Sequence, residues 1–226
     1  MEKLNVLLTG ATGMVGDGVL RVLLNHPQIE SVVVLGRRSC GVSHPRLTEI
    51  VHPDLYDIAA IAPKLEGLNA CFFCLGTSSI GLSEEAFTKV SHTLTLHIAG
   101  HFLARNPGST FAYISGTGTD STAHGKVMWA RVKGRTENDL AALGFRAAFG
   151  VRPGGIKPYP GQQHLPFWAR VLSPLYGLVR ALHADWVVTM EELANAMIES
   201  ALHEPRNRAL EAKDIRSLAK ANQTSR

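Results

Sequence analysis

No basic block longer than the pair Arg37-Arg38 occurs in these 226 residues, although Lys and Arg number 23 against 19 Asp and Glu. A formal net charge of +4 without a charged run excludes an extended nucleic-acid surface and fits small anionic ligands better. Cysteine is scarce: the three residues, Cys40, Cys71 and Cys74, are an odd count without metal-type spacing. Cys71-x-x-Cys74 lies inside the apolar run "ACFFCLG", which reads as strand residues rather than a redox pair. No apolar stretch reaches the length of a membrane span, and the N-terminus enters a strand pattern without a cleavage signature. The expectation from these absences is a protein of the reducing cytoplasm, without nucleic-acid or membrane contact. An apolar share of 45% over this length suits one domain, residues 1–226, with a sizeable core.

What is present is a rhythm. Short apolar runs at "KLNVLLTG", "SVVVLG", "ACFFCLG", "TFAYIS" and "FRAAFGVR", with a weaker one at "LTEIV", alternate with helical periodicity. Helices are expected over 13–25, 54–67 (broken near Pro63), 83–105 and 128–143. Strand–helix alternation predicts a doubly wound parallel α/β sheet of the Rossmann type, with helices on both faces. After Arg152 the pattern becomes rich in Pro, Gly and aromatics, and residues 153–188 read as a substrate-side lid or an interface, including that of a homodimer. Within it, 165–186 carries Phe167, Trp168, Leu172, Leu175, Tyr176, Leu178 and Val179, with Pro174 interrupting any single helix; lid or interface is favoured over membrane contact. Thr189-x-x-Glu192 is a capping box opening a helix over 190–203, and a short strand and a terminal helix complete a small C-terminal region.

"LLTGATGMVG" sets Gly10, Gly13 and Gly16 between the first strand and the first helix, with Thr12, Met14 and Val15 in the same turn. A pyrophosphate must approach backbone closely there, where free N–H groups and the helix dipole favour an anion. The second strand ends in Gly36-Arg37-Arg38, without the acidic residue that would accept from a free ribose 2′-hydroxyl. Two guanidinium groups instead suit a 2′-phosphate, which favours NADP(H) over NAD(H).

Together "TGATGMVG", "GRR", "CLGT", the helix holding Lys133 and "VRPGGI" resemble the short-chain dehydrogenase/reductase superfamily, in its atypical extended branch of epimerase/dehydratase-like proteins. The resemblance implies that Asp54 and Leu55 lie near the adenine and that Leu75, Gly76 and Thr77 pass under ribose and nicotinamide. It also implies that Lys133 holds the nicotinamide ribose, with Pro153, Gly154 and Gly155 beside the nicotinamide amide. Ser115 matches the carbonyl-polarising serine and Lys133 the lysine, but Trp129 stands where the catalytic tyrosine belongs. No other tyrosine has a lysine four residues later. The expected function is oxidoreduction of a small carbonyl or hydroxyl compound, with His124, Tyr159 or His164 as substitute proton donors. The alternative is an NADP(H)-binding regulator without turnover. Sugar-nucleotide epimerisation is disfavoured, because 226 residues leave little room for a large substrate region. His92, His97 and His101 lack metal-ligand spacing, and no metal is expected.

Overall fold

A computed structural model describes residues 3–162, 165, 176–177 and 186–224. Its elements are β1 (Leu4–Thr9), α1 (Met14–Asn25), β2 (Ile29–Gly36), β3 (Leu47–Val51), β4 (Ala70–Phe73), α2 (Glu84–Thr88), α3 (Leu94–Arg105), β5 (Thr110–Ile114), α4 (Met128–Ala142), β6 (Ala147–Arg152), β7 (Gly155–Lys157), β8 (Val187–Thr189), α5 (Met190–His203), β9 (Ala209–Glu211) and α6 (Ala212–Thr224). Seven strands pair in the order β3-β2-β1-β4-β5-β6-β9, all parallel, so the expected Rossmann-type sheet is the observed one. The order reverses between β1 and β4, and at such a point the connections leave a crevice beyond the strand ends.

Period-two alternation sorts the strand side chains into two cores. Val6, Leu8, Val32, Val34, Phe72 and Ala112 pack with Val19, Leu20 and Leu23 of α1 and with Leu193 and Met197 of α5. Leu7, Leu35, Cys71, Phe73, Phe111 and Tyr113 face the other way, onto Ile98 and Phe102 of α3 and Leu140 of α4. Helices therefore cover both faces. Cys71 is fully buried and all three cysteines are free thiols.

One expected helix is absent. Residues 54–67 form turns and a single 3-10 turn, Ala62–Leu65, with Pro63 at its start. Asp54 Oδ1 accepts from Tyr56 N at 2.9 Å and the His52 ring meets Asp57 O at 2.7 Å, so local side-chain bonds replace helical ones. Leu55, Ile58 and Leu65 are buried in the second core. Their spacing reported burial and not helicity.

Two devices shape the site-bearing edge. Ser83 caps α2, accepting from Ala86 N, and a π-helical turn, Lys89–Thr93, joins α2 to α3 in one continuous helix. Thr189 and Glu192 form the anticipated capping box of α5. Beyond β6 the chain makes a second, two-stranded parallel sheet of β7 and β8, which periodicity in such short runs did not reveal. The proposed lid or interface at 165–186 lies mostly outside the described residues, as do His164, Phe167, Trp168, Leu172, Pro174, Leu175, Leu178 and Val179.

Candidate functional site

At the carboxyl ends of β1, β2 and β4 lies a cleft of about 470 Å³. Its walls include Gly10, Thr12 and Gly13 from the first turn, Arg37 and Arg38 after β2, Asp54 and Leu55 from the next loop, and Leu75, Gly76 and Thr77 after β4. The glycines play different parts. Gly10 has φ +75°, and a Cβ on it would lie 2.6 Å from backbone atoms of Cys74 and Leu75. A Cβ on Gly16 would overlap the Gly10 carbonyl. Those two positions close the turn and seat α1 against β1. Only Gly13 is free of such a clash: its nearest neighbour, Gly10 O, would be 3.4 Å away. Gly13 is the N-cap of α1 and has no side chain to bond the first-turn N–H groups, which leaves them to a ligand.

Met14, Val15 and Gly16 belong to that first turn but do not line the cleft. Met14 O accepts from Gln162 Nε2, and Val15 packs on the first core. Arg37 and Arg38 are exposed, and among the described residues neither guanidinium is held by a hydrogen bond or ion pair. Sequence reasoning missed Tyr56, Val90 and Leu94, which also line the cleft. Tyr56 Oη donates to Lys89 O at 2.9 Å, at the first residue of the π-helical turn. That turn braces the loop carrying Asp54.

A second pocket, of about 340 Å³, is lined by Ser115, Thr117, Trp129, Lys133, Pro153 and Gly154, with Phe87 and Trp186 as further aromatic walls. Thr77 lines both cavities, so they adjoin. Gly155 stands behind, as the first residue of β7. Trp129 is partly buried and its indole edge rests near Gly118, 3.5 Å from where a Cβ there would sit. Lys133 Nζ donates to Ser115 O at 2.5 Å and to Ile114 O at 3.3 Å. Of the substitute proton donors, His124 and Tyr159 line neither cavity and His164 lies outside the described residues; Tyr113 Oη is buried, donating to Ser91 O at 3.1 Å.

Burial lowers the Lys133 ammonium from 10.5 to about 8, against an opposing pull from Glu137. Below pH 8 the folded and unfolded chains both hold this proton and the burial penalty is felt in full; above 10.5 both are neutral and it vanishes. The wild type should therefore gain stability relative to Lys133→Met as pH rises from 8 to 10.5. A pH-independent difference in urea midpoints across that range would contradict the assignment.

Behind the second pocket is a bracket that the sequence did not disclose. Ser115 Oγ donates to Glu137 Oε1 at 2.5 Å. Arg152 Nε donates to the same oxygen at 3.0 Å, and its Nη2 reaches Glu137 Oε2. Arg152 also holds Ser121 Oγ at 2.6 Å and Glu211 Oε1 at 3.2 Å. Glu137 fits over β6 because Gly150 has no Cβ, which would come within 2.8 Å of Glu137 Cγ. Away from the site, His92 bonds Asp139 at 2.7 Å and the His97 and His101 rings stack edge-on at 4.8 Å. Among the described residues no three His, Cys, Asp or Glu side chains gather to hold a metal.

A parallel sheet with a glycine turn at its switch point and a crevice of dinucleotide size defines an NAD(P)-binding Rossmann protein. Residues 5–95 match the family model described as semialdehyde dehydrogenase, NAD binding domain, a span that contains every residue of the first cleft. The Aspergillus fumigatus protein fmp52, mitochondrial, is 31% identical over 88% of this chain and 87% of its own length. The chain belongs to the FMP52 family. The Candida glabrata member is 26% identical over 90% of this chain and 88% of its own. Two solved structures share the fold at a TM-score of 0.67: the Thermotoga maritima UDP-glucose 4-epimerase (16% identical, covering 96% of this chain and 82% of its own) and Bordetella bronchiseptica WbmF with NAD+ (15%, covering 99% and 78%). The relatives are named as mitochondrial proteins, which overturns the cytoplasmic expectation; cysteine use and hydropathy carry no signal for that address. Among the described residues no helix is long and apolar enough to cross a membrane.

Proposed function

We propose that this protein binds NADP(H) across the two adjoining cavities and acts as an atypical short-chain dehydrogenase/reductase on a small compound with a carbonyl or hydroxyl group. The observation that carries the reading is the unbroken line from the unpartnered Arg37 and Arg38, past Gly13 and the open end of α1, to Thr77 and on to Lys133, Pro153 and Gly154. The cavity fits the group: Gly13 leaves room at the helix end, and the first-turn N–H groups lack side-chain acceptors. In this reading the arginines take the 2′-phosphate, the α1 terminus takes the pyrophosphate, and Asp54 and Leu55 border the adenine. Lys133 holds the nicotinamide ribose, with Pro153 to Gly155 beside the amide. Bound NADP(H) would supply or accept the hydride; the chain supplies orientation and an aromatic-walled pocket. Trp129 forms one wall of that pocket.

A second reading, binding without turnover, is favoured by a single residue: Trp129 has an indole where the phenol of the resembled enzymes would stand, and an indole N–H is no proton shuttle at neutral pH. One experiment separates them. Titration with NADPH and NADH, followed by tryptophan quenching, should show saturable binding with NADPH the tighter. Consumption of NADPH with any of a broad carbonyl panel, or of NADP+ with alcohols, then supports the oxidoreductase. Binding with no turnover supports the regulator, and no binding of either nucleotide sinks both.

A further inference from the structure

Lys133 sets a cation at the wall of the second pocket, and no carboxylate answers it. Its Nζ donates to Ser115 O and Ile114 O and lies 5.8 Å from the centroid of the Tyr113 ring. Among the described residues it forms no ion pair. Glu137 stands one turn further along α4, but both its oxygens go to Arg152, which holds Glu211 as well. The charges behind the pocket are therefore matched with one another, and the ammonium at its wall is not. A cation withdrawn from water is costly unless an anion meets it. The fall of Lys133 to about 8 records that cost.

The other walls agree in sign. They carry no acidic side chain; Thr77 and Ser79 bring hydroxyls, and Trp129 and Trp186 bring indole N–H groups. Among the described residues Ser79 Oγ and the two indole N–H groups make no hydrogen bond, and Thr77 Oγ1 reaches only Ser78 O at 3.5 Å. These donors can turn to an entering acceptor. The first turn of α4, which holds Trp129, has no acidic residue and no side-chain cap, so the helix dipole adds to the positive potential. Phe87 and the indole rings give the same space an apolar surface. A neutral carbonyl uses the donors and leaves the charge unanswered. A carboxylate uses both.

We infer that the second pocket takes a compound that bears a carboxylate as well as the carbonyl or hydroxyl group, on an apolar or aromatic body, with Lys133 as the counter-ion. This deepens the oxidoreductase reading and rests on its placing the substrate in that pocket. The same reading gives Lys133 to the nicotinamide ribose. Ribose hydroxyls are neutral, so the ammonium keeps its charge for the acid whichever oxygen takes its third hydrogen.

Neutral isosteres test it: benzoate against benzamide, and phenylacetate against phenylacetamide, titrated by ligand-observed NMR with and without NADPH. Near pH 7 the acids should bind tighter by about tenfold, the scale of one hydrogen bond to a charged group. At about pH 9.5 that advantage should fall close to one. The acids stay ionised throughout, whereas the free protein loses the Lys133 proton above about 8 and the acid-bound protein about one pH unit later. Glu137 faces the ammonium from α4, Tyr113 from β5 and, behind Glu137, Arg152 from β6; burial pushes the Tyr113 phenol up, away from this window. The remaining walls of the pocket carry no titratable group. Lys133→Met should remove the advantage near pH 7 as well. Amides binding as well as or better than acids near pH 7, neither class binding, an advantage undiminished at about pH 9.5, or displacement of the acids by NADPH overturns the inference. If Lys133→Met does not fold, the wild-type pH dependence decides. Failure of NADPH to bind is read separately and sinks the dinucleotide assignment; the nucleotide-free titrations still decide the preference for acids.

Discussion

Gly16→Ala should abolish the native fold, whereas Gly13→Ala should keep the fold and lose the nucleotide. At Gly16 the new methyl would overlap the Gly10 carbonyl, a backbone atom at the end of β1 that can yield only by shifting the strand or the helix. Overpacking of this kind costs about 3 kcal/mol or more, a large part of the stability of an ordinary domain. At Gly13 the methyl would meet Gly10 O at 3.4 Å, an ordinary contact, so the chain accepts it. But the methyl would stand at the open end of α1, where the pyrophosphate is proposed to approach backbone. Near-wild-type urea midpoints for Gly13→Ala with NADPH affinity down at least about tenfold is the expected result. Unimpaired binding would move the nucleotide away from this turn. A stable, folded Gly16→Ala would mean that α1 sits less tightly on β1 than described.

The Arg37→Ala, Arg38→Ala double variant should lose the preference for NADPH over NADH, by at least about tenfold, with NADH affinity little changed. Hydrogen bonds to charged groups are the strong class, and two guanidinium forks on one phosphate exceed what a single lysine would give. Since the two arginines hold nothing else among the described residues, their removal leaves no unpaired partner and the fold should stand. The check is the ratio of the two dissociation constants at fixed ionic strength, since screening would otherwise blur it. An unchanged ratio would leave the arginines as a solvated turn and return the choice of nucleotide to NAD(H).

The first cleft was legible because the residues that line it follow a local pattern. Glycine spacing, the strand before it and the helix after it lie within "LLTGATGMVG", and Arg37-Arg38 closes the next strand. The second pocket was legible only in outline. Ser115, Trp129 and Lys133 were found by resemblance, but the state of the serine hydrogen depends on Glu137 and Arg152, from α4 and β6. Glu137 follows Lys133 by four residues, a spacing that reads as a surface ion pair on a helix. Only the sheet beneath it, opened by Gly150, turns that carboxylate inward. The 54–67 segment failed for the opposite reason. Its apolar spacing was real, but Pro63 and the Asp54 turn denied the backbone a helix. Sheet β7–β8 escaped because three-residue strands carry no measurable period.

The placing of β9 bears on how the molecule comes into being. Chain growth delivers every residue of the first cleft by Leu94, with more than half of the 226 residues still to be made. The second pocket waits for Trp186, and the clamp behind Ser115 waits for Glu211, which arrives as β9 docks on β6. All the residues that line the first cleft are thus synthesised long before those that hold Ser115 in its final setting. Translation itself imposes an order on the two cavities, the walls of the first cleft early and those of the second pocket late, with the final strand closing the bracket behind Ser115.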